Sequence, residues 1–445
     1  MDVYLEAEEF CSVIPEQQYD SVATYVRIRP PSSVRENSTQ EICQVQSDGD
    51  NHGTAVCILD PAFFDRKSDY DQKYFERSFK YDFCFSQEAN QQAVYERVAE
   101  PLLKHALDGY NCSLMTYGQT GSGKTYTMMG EDTKAWGVES SSEEFAGVIP
   151  RLCKGLLEEI DKKRIHTNYS TVELHEGNVG DSNNQKDLKL SNFIHDASVY
   201  CSFYEIYVEK VHDLLSKNPE RVCRVREHPD SGAYVEKLTK LPIKTISEVG
   251  KIVSLGIRNR TVAETKMNAM SSRSHAIFSL FIEQTVSSSA NIFEKDRFAT
   301  SNNKVQRQSK IIMVDLAGSE RVSFTGATGD RLIEANNINK SLSTLSDVIK
   351  ALSDKGAAIQ REVAAFSEGV GVESIEKLKS DITTHYYVPY RNSVLTWLLK
   401  DCLGGNARTS ILANISPIEK NYNETMSTLR YVERAKLIVT SATVN

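Results

Sequence analysis

The sequence predicts an α/β layered fold. Apolar runs alternate with helical patterns along the 445 residues, which is typical of such a layered fold. Residues 118–127 read GQTGSGKTYT and carry the spacing G-x-x-x-x-G-K-[ST] of a phosphate-binding loop. A short apolar run precedes this loop and a helical pattern follows it, which is the setting that phosphate binding requires.

The predicted strands are short runs rich in apolar residues, at Ala23–Ile28, Cys112–Tyr117, Val199–Ile206, Ala276–Ile282, Ile311–Asp315 and Thr409–Ile415. Helices are expected where apolar residues recur at three-to-four spacing, at 88–107, Gly147–Lys162, Ile246–Asn259, Ile333–Ser353, Ser393–Cys402 and Glu424–Val439. Pro101 should kink or divide the first of these helices.

Five polar stretches between these elements are interpreted as surface insertions or disordered loops, at 46–72, 131–146, 163–197, 285–309 and 356–384. The length alone would allow about three domains. One set of core motifs runs from residue 23 to residue 438, however, so a single large domain with insertions is predicted.

Composition argues against several kinds of protein. The net charge of −8 disfavours nucleic acid as a partner. The nine cysteines include no C-x-x-C pair, which favours reduced thiols over disulfides or zinc. The first twenty residues hold six acidic and no basic residues, unlike a signal peptide. No apolar run approaches the roughly 18 residues of a membrane span, so no transmembrane segment is expected.

Three segments supply chemistry suited to a nucleotide. Loop amides are expected to surround the phosphates, with Lys124 neutralising their charge and Thr125 binding magnesium; the loop residues are Gly118, Gln119, Thr120, Gly121, Ser122 and Gly123. In IIMVDLAGSER (311–321), Asp315 ends a buried strand and can hold a magnesium-bound water, and Gly318 can turn its amide towards a γ-phosphate.

The third segment, NAMSSRSH (268–275), has two interpretations. Ser271 and Ser272 can reach magnesium and the γ-phosphate, while Arg273 can form a bidentate pair with a carboxylate. The alternative is a polar turn before the strand that begins at Ala276. Spacing alone leaves both interpretations open.

Seven motifs occur in a fixed order: GQTGSGKTYTM, NxxSSRSH, DLAGSER, NNINKSL (336–342), VPYR (388–391), LGGNARTS (403–410) and STLRYVERAK (427–436). The series resembles the kinesin motor domain from about Ala23 to Ser441. The resemblance implies a P-loop NTPase-type, three-layer motor domain, with a central mixed, mostly parallel sheet flanked by helices on both faces. It also implies that this domain hydrolyses ATP with Mg²⁺. The absence of an N-K-x-D guanine-reading motif agrees with ATP rather than GTP.

The resemblance also implies roles for individual residues. Arg27, Arg29 and Pro30 form the adenine-pocket motif, and Tyr126 stacks on the adenine. Arg273 pairs with Glu320 once ATP closes the site, and Glu320 then orients the attacking water. Magnesium is held by the hydroxyls of two residues and, through water, by a carboxylate: Thr125, Ser272 and Asp315.

The implied partner is the microtubule, and the implied location is the microtubule cytoskeleton of the cytoplasm. Because the microtubule surface is acidic and the chain carries −8, binding requires a local basic patch. The candidate residues by family position are Arg321, Lys340, Arg391, Lys237 and Lys240. For each of them alone, a solvated surface charge is the more common interpretation, whereas the set on the expected face favours contact.

The implied domain organisation has three parts. Residues 1–22 form an acidic extension that could supply a cover strand, 23–440 form the motor domain, and 441–445 begin a neck linker. Cargo and dimerisation regions are expected to be absent from this chain. A head near the N-terminus favours plus-end movement. The alternatives are a kinesin-like ATPase that acts on microtubule ends and, more remotely, an unrelated P-loop enzyme such as a nucleotide kinase.

Three further segments resemble the kinesin-three subfamily of cargo transporters: GVIPRL (147–152), VREHPDSGAYVEKLTKL (225–241) and NSVLTWLLKD (392–401). That subfamily often has a lysine-rich insertion before VPYR. Here residues 356–385 contain three basic and five acidic residues, a net charge of −2. Tethering to tubulin tails through lysines is therefore not expected from this insertion.

Overall fold

The computed structural model describes residues 20–31, 40–47, 53–62, 76–131, 144–173, 194–229, 232–267, 272–287, 304–320, 330–367 and 387–445. Sixteen strands lie in these ranges. They are β1 (Asp20–Ser21), β2 (Ala23–Ile28), β3 (Cys43–Ser47), β4 (Gly53–Leu59), β5 (Glu76–Phe85), β6 (Cys112–Tyr117), β7 (Ile194–Tyr207), β8 (Lys210–Asp213), β9 (Val222–Cys223), β10 (Val225–His228), β11 (Gly232–Val235), β12 (Leu241–Pro242), β13 (His275–Ser287), β14 (Lys304–Asp315), β15 (Arg408–Ile415) and β16 (Val439–Thr440).

The α-helices of the described ranges are α1 (Gln91–Val94), α2 (Glu100–Leu107), α3 (Lys124–Met129), α4 (Val148–Glu173), α5 (Ile246–Met267), α6 (Asp330–Ser367), α7 (Val394–Leu398) and α8 (Tyr422–Ala435). A π-helical segment, Tyr95–Ala99, separates α1 from α2, and Pro101 occupies the first turn of α2. The predicted helix at 88–107 is thus divided near the proline, where the missing N–H costs least.

The large sheet is mixed, as the sequence predicts. Its centre consists of five parallel strands in the order β5-β2-β15-β6-β14. Antiparallel strands extend both edges: β4 and β3 follow β5, and β13, β7, β8 and β9 follow β14. The carboxyl ends of the parallel strands meet at one edge, which is where α/β folds bind ligands.

Helices cover both faces of this sheet, which gives three layers. On one face the buried apolar side chains of α6, α7 and α8 pack against the strands. On the other face the core is formed with α1, α2, α4 and α5. No helix in the described ranges is both long enough and apolar enough to cross a membrane.

Four of the predicted insertions are partly regular structure, which corrects the sequence interpretation. β4 lies inside 46–72, and α4 and β7 extend into 163–197. β13 and β14 extend into 285–309 because their antiparallel ladder continues to the Ser287–Lys304 pair. α6 runs on to Ser367, inside 356–384. Polar residues explain why the extensions of α4 and β14 were not predicted, since hydrogen-bonded ladders and helices do not need apolar residues beyond the core. Polarity does not explain β4 and the end of α6, which are rich in apolar residues.

The two ends of the described chain lie side by side. Asp20 and Ser21 of β1 pair antiparallel with Thr440 and Val439 of β16. Beyond β16, the backbone N–H of Asn445 donates to the carbonyl of Gly109 at 3.1 Å. The C-terminal segment is therefore held along the domain by backbone pairing at both of its ends.

Candidate functional site

The glycine loop and the DLAGSE segment meet because two strands are parallel neighbours. β6 delivers the loop at Gly118 and β14 ends at Asp315, and these strands pair in parallel from Ile311–Cys112 to Asp315–Thr116. Across the gap, the Ser319 N–H donates to the Gly118 carbonyl at 3.1 Å. The sheet thus brings together segments that lie about 200 positions apart in the sequence.

Glycines with positive φ shape the loop. Gly118, Gly121 and Gly123 have φ values of +149°, +76° and +100°. A Cβ on Gly118 would overlap the backbone oxygen of Asn414, whereas one on Gly121 would meet no atom within 4 Å. Ser122 is 1 % exposed, and its hydroxyl has no hydrogen-bond partner among the described residues. A cradle of this shape with a spare buried hydroxyl fits an anionic phosphate.

Lys124 and Thr125 occupy the start of α3, at the floor of the cradle. The Lys124 ammonium is buried and donates to the carbonyls of Gly118 and Gln119 at 2.8 and 2.9 Å. Burial lowers its pKa, while the nearby carboxylates of Asp315 and Glu320 act in the opposite direction. The Thr125 hydroxyl donates to Asp315 Oδ2 at 2.6 Å. This pair of oxygens at the end of two strands fits a hard cation such as Mg²⁺.

The DLAGSE segment is joined to both neighbouring segments. The Gly318 amide donates to the Ser272 carbonyl at 2.9 Å. The sequence predicts instead that this amide turns towards a γ-phosphate. The Glu320 carboxylate accepts hydrogen bonds from the amide of Thr120, at 2.7 Å, and from its hydroxyl. A Cβ on Gly318 would overlap the side-chain ends of Thr120 and Glu320, so a larger residue there would displace this pair.

The predicted adenine-pocket residues lie beside the loop in different environments. Arg27 is 7 % exposed and donates to the side chains of Gln91 and Thr127 at 2.8 and 2.9 Å. Its guanidinium lies 5.5 Å from the ring centroid of Tyr126, which is 38 % exposed. Arg27 therefore supports the Tyr126 ring from beneath and leaves the ring accessible for stacking.

Arg29 and Pro30 lie at the rim of this pocket. The Arg29 guanidinium donates to the Pro30 carbonyl at 2.8 Å and to the Ser416 hydroxyl at 3.2 Å. Pro30 is exposed. Of the other predicted site residues, Ser272 and Arg273 are half-buried, whereas Ser271 and Arg321 lie outside the described residues.

Two of the predicted microtubule-contact residues, Arg391 and Lys340, are exposed cations. Arg391 precedes α7 and is paired with Glu227 of the β10–β11 hairpin, and Lys400 reaches the same carboxylate at 3.1 Å. Two cations on one acid leave this group with a charge of +1. Lys340 is exposed on α6, which packs against α7 and against the turn that holds Arg391.

The two remaining lysines have distinct settings. Lys237 is exposed and has φ +57°, in the turn after β11. The Lys240 ammonium lies 3.9 Å from the ring centroid of Phe281, a residue of β13, and so makes a cation–π contact with the sheet.

Several residues that hold the site together were not predicted from the sequence. Gln91 and Thr127 satisfy Arg27, and Asn414 donates to the Thr127 hydroxyl at 2.9 Å. His275 is 2 % exposed and contacts both the DLAGSE segment and α6. His275 was visible as the last residue of SSRSH, but nothing in the sequence indicated its contacts. Thr127 lies within GQTGSGKTYTM, but the motif assigns it no role, and Gln91 and Asn414 belong to no motif.

The fold and this site define a P-loop nucleotide-binding protein whose loop is joined to two switch-like segments. Comparison with known families then gives a direct match: the family model of the kinesin motor domain matches residues 27–438. The chain belongs to the kinesin motor domain family.

Similar curated proteins cover nearly all of the chain. It is 39% identical over 425 residues to the rat kinesin-like protein KIF1B and to unc-104 of Caenorhabditis elegans, in each case over 96% of the chain. It is also 39% identical over 433 residues to human KIF13B. These relatives are kinesin-three members, which confirms the subfamily resemblance. The chain spans only about a fifth of their length: 20%, 22% and 19%.

Solved structures confirm the fold. A structure of a fast kinesin matches with a TM-score of 0.69 and 31% identity, covering 96% of this chain and 94% of that one. A KIF14 dimer with AMP-PNP on a microtubule matches with a TM-score of 0.68 and 35% identity, covering 96% of both chains.

The two loop glycines allow a matched test of the cradle. Gly118→Ala should reduce the affinity for a fluorescent nucleotide at least about tenfold, because the new methyl overlaps the Asn414 backbone. Gly121→Ala incurs only the strain of a positive φ, about 1 kcal/mol, and should bind several-fold more tightly than Gly118→Ala. Equal losses in the two variants would show that the contact with Asn414 does not shape the cradle.

Proposed function

We propose that this chain is the motor head of an ATP-driven transporter that hydrolyses ATP and moves along microtubules towards the plus end. The observation that carries the proposal is the joining of the glycine loop to the DLAGSE segment through Ser319–Gly118 and Glu320–Thr120, beside a helix with exposed basic residues. The KIF14 structure matched above was solved with AMP-PNP and a microtubule, which supports the same pairing of ligands here.

In this proposal the glycine loop binds the phosphates of ATP and Lys124 neutralises their charge. Thr125 and Ser272 would hold Mg²⁺, and Asp315 would contribute through a water. When bound, the cation neutralises charge that develops on the phosphate oxygens. Tyr126 stacks on the adenine, with Arg27 beneath it and Arg29 and Pro30 at the rim.

Glu320 and Arg273 are the proposed centre of hydrolysis. Glu320 now accepts two hydrogen bonds from Thr120, which keeps its carboxylate beside the phosphate cradle. With ATP bound, Arg273 takes over the pairing and holds the carboxylate where it orients the attacking water. With ATP bound, the Gly318 amide would leave the Ser272 carbonyl and, together with Ser271, contact the γ-phosphate.

The proposed microtubule face is formed by α6, α7 and the β10–β11 hairpin. Lys340, Arg391 and Lys237 provide its cations within the described residues, and Arg321 and Lys240 extend it by family position. The net charge of −8 does not prevent this, because steering depends on the local field. Glu227 holds Arg391 and Lys400 together without cancelling both charges.

The C-terminal segment is the proposed mechanical output. β16 pairs with β1 and the following residues lie along the domain, as expected for a cover strand and the start of a docked neck linker in 441–445. The protein would act in the cytoplasm, on the microtubule cytoskeleton. Cargo binding and dimerisation would belong to parts of the relatives' length that this chain does not span.

Substitution of the hydrolysis residues tests the enzymatic part. Glu320→Ala and Arg273→Ala should each lower ATP turnover about 100-fold or more, with nucleotide binding largely kept, because they remove orientation rather than phosphate contacts. Glu433→Ala and Arg434→Ala, an exposed pair on α8, are matched controls. Turnover is measured with and without microtubules. Near-normal turnover in Glu320→Ala would exclude its proposed role.

Charge reversal tests the microtubule face. The variant with Lys340→Glu and Arg391→Glu should lose microtubule stimulation, because the acidic filament would be repelled. The control reverses two exposed helical lysines, Lys104→Glu and Lys162→Glu, and changes the net charge equally. Stimulated ATPase and co-sedimentation are measured at matched salt. If both double variants behave alike, the patch is not the binding surface.

A further inference from the structure

His275 joins two elements that the chain itself connects only by a long route. The residue opens β13 and is 2 % exposed. Its Nδ1 accepts the backbone N–H of Ala317 at 3.1 Å, and its Nε2 lies 2.9 Å from the hydroxyl of Ser341 on α6. Ala317 and Ser341 are 24 positions apart in sequence, whereas one imidazole ring spans them in space.

The contacts fix the state of the ring. An amide N–H can only donate, so Nδ1 must be unprotonated and the neutral ring carries its proton on Nε2, which donates to Ser341. Burial lowers the pKa of His275 to about 3, and the nearby cations Arg260 and Lys124 act in the same direction. The imidazole is therefore neutral near pH 7, and both of its nitrogens are engaged.

The two hydrogen-bond partners of His275 belong to different elements, the DLAGSE segment and α6. Ala317 is buried and precedes Gly318, whose amide is bonded to Ser272. Ser341 is 3 % exposed and follows Lys340, the exposed cation of α6. A shift of the DLAGSE segment would therefore be felt at α6 through one rigid ring, without passing through the connecting residues.

We propose that His275 is a positioning residue that couples the DLAGSE segment to α6, so that nucleotide state and filament contact influence each other. The inference rests on the proposed function, because it assumes that α6 carries the filament contact. It assigns the two hydrogen bonds of the ring a role in transmission as well as in packing.

A double-mutant cycle tests this role. Asparagine at 275 can place its Oδ1 near the former Nδ1 but cannot reach Ser341, so His275→Asn breaks only the α6 side. Ser341→Ala removes the same hydrogen bond from the other end with a smaller change in packing. Each variant should reduce the ratio of microtubule-stimulated to basal turnover about tenfold. The microtubule concentration for half-maximal stimulation should change much less, because the filament-facing cations are intact.

The combined variant is decisive for coupling. If the two residues act through one hydrogen bond, the double variant should lose no more than either single variant. Gln284→Leu is the matched control, since Gln284 is a buried residue of the same strand whose amide donates to Leu107 at 2.8 Å, away from α6. It should keep the stimulation ratio, even where thermal unfolding shows a similar loss of stability.

The results that would contradict the coupling role differ from the result that would contradict the proposed function. Losses that multiply in the double variant, or an equal loss in Gln284→Leu, would overturn the coupling role and leave His275 a core residue. A normal ratio in Ser341→Ala would overturn it as well. Absence of stimulation in the unsubstituted chain would instead overturn the proposed function, and the inference with it.

Discussion

The parallel pairing of β6 with β14 is the constraint on which the site depends. It places the end of each strand at the same edge, so that the Thr125 hydroxyl reaches Asp315 at 2.6 Å and the Ser319 amide reaches the Gly118 carbonyl. The paired residues of both strands are buried on both faces of the sheet, so a slip by one residue would exchange side chains between the two cores and disturb the packing of each. Phosphate cradle and switch segment are therefore held in register by the core of the sheet.

Helix α6 extends the influence of this edge across the domain. Its Ser341 contacts His275, and its Lys340 is exposed to solvent. Further along the helix, Gly356 lies against the start of the C-terminal segment, where a Cβ would overlap the Leu437 carbonyl. Ser341 and Gly356 are 15 residues apart, or about 22 Å along a helix. Its buried leucines pack it against the sheet, so the helix is suited to move as one body. The DLAGSE segment (through His275), the exposed Lys340 and the C-terminal segment are thus all connected to one helix.

Much of this arrangement could be predicted from the sequence, because the motifs sit where side-chain type and spacing are dictated by chemistry. The glycine loop, the strand ending at Asp315 and the division near Pro101 are examples. The extension of α6 to Ser367 and the strand at Gly53–Leu59 were not predicted, although their sequences, GAAIQREVAAFS and GTAVCIL, are rich in apolar residues. The start of β14, KVQRQSK, could not be predicted, because a hydrogen-bonded ladder continues through polar residues without an apolar pattern. The contacts of Arg27 and His275 depend on partners up to 100 positions away, which spacing does not encode.

We propose that ATP turnover at this sheet edge drives movement along a microtubule. The most direct test is the gliding of polarity-marked microtubules over this head, which is joined to a dimerising stalk and bound to a surface. We expect steady, ATP-dependent gliding with the minus end of each microtubule leading, because a plus-end motor fixed to a surface moves filaments in that direction. Filaments that bind and stay still in ATP would contradict it. So would filaments that shorten from their ends, which would favour a microtubule-end depolymeriser.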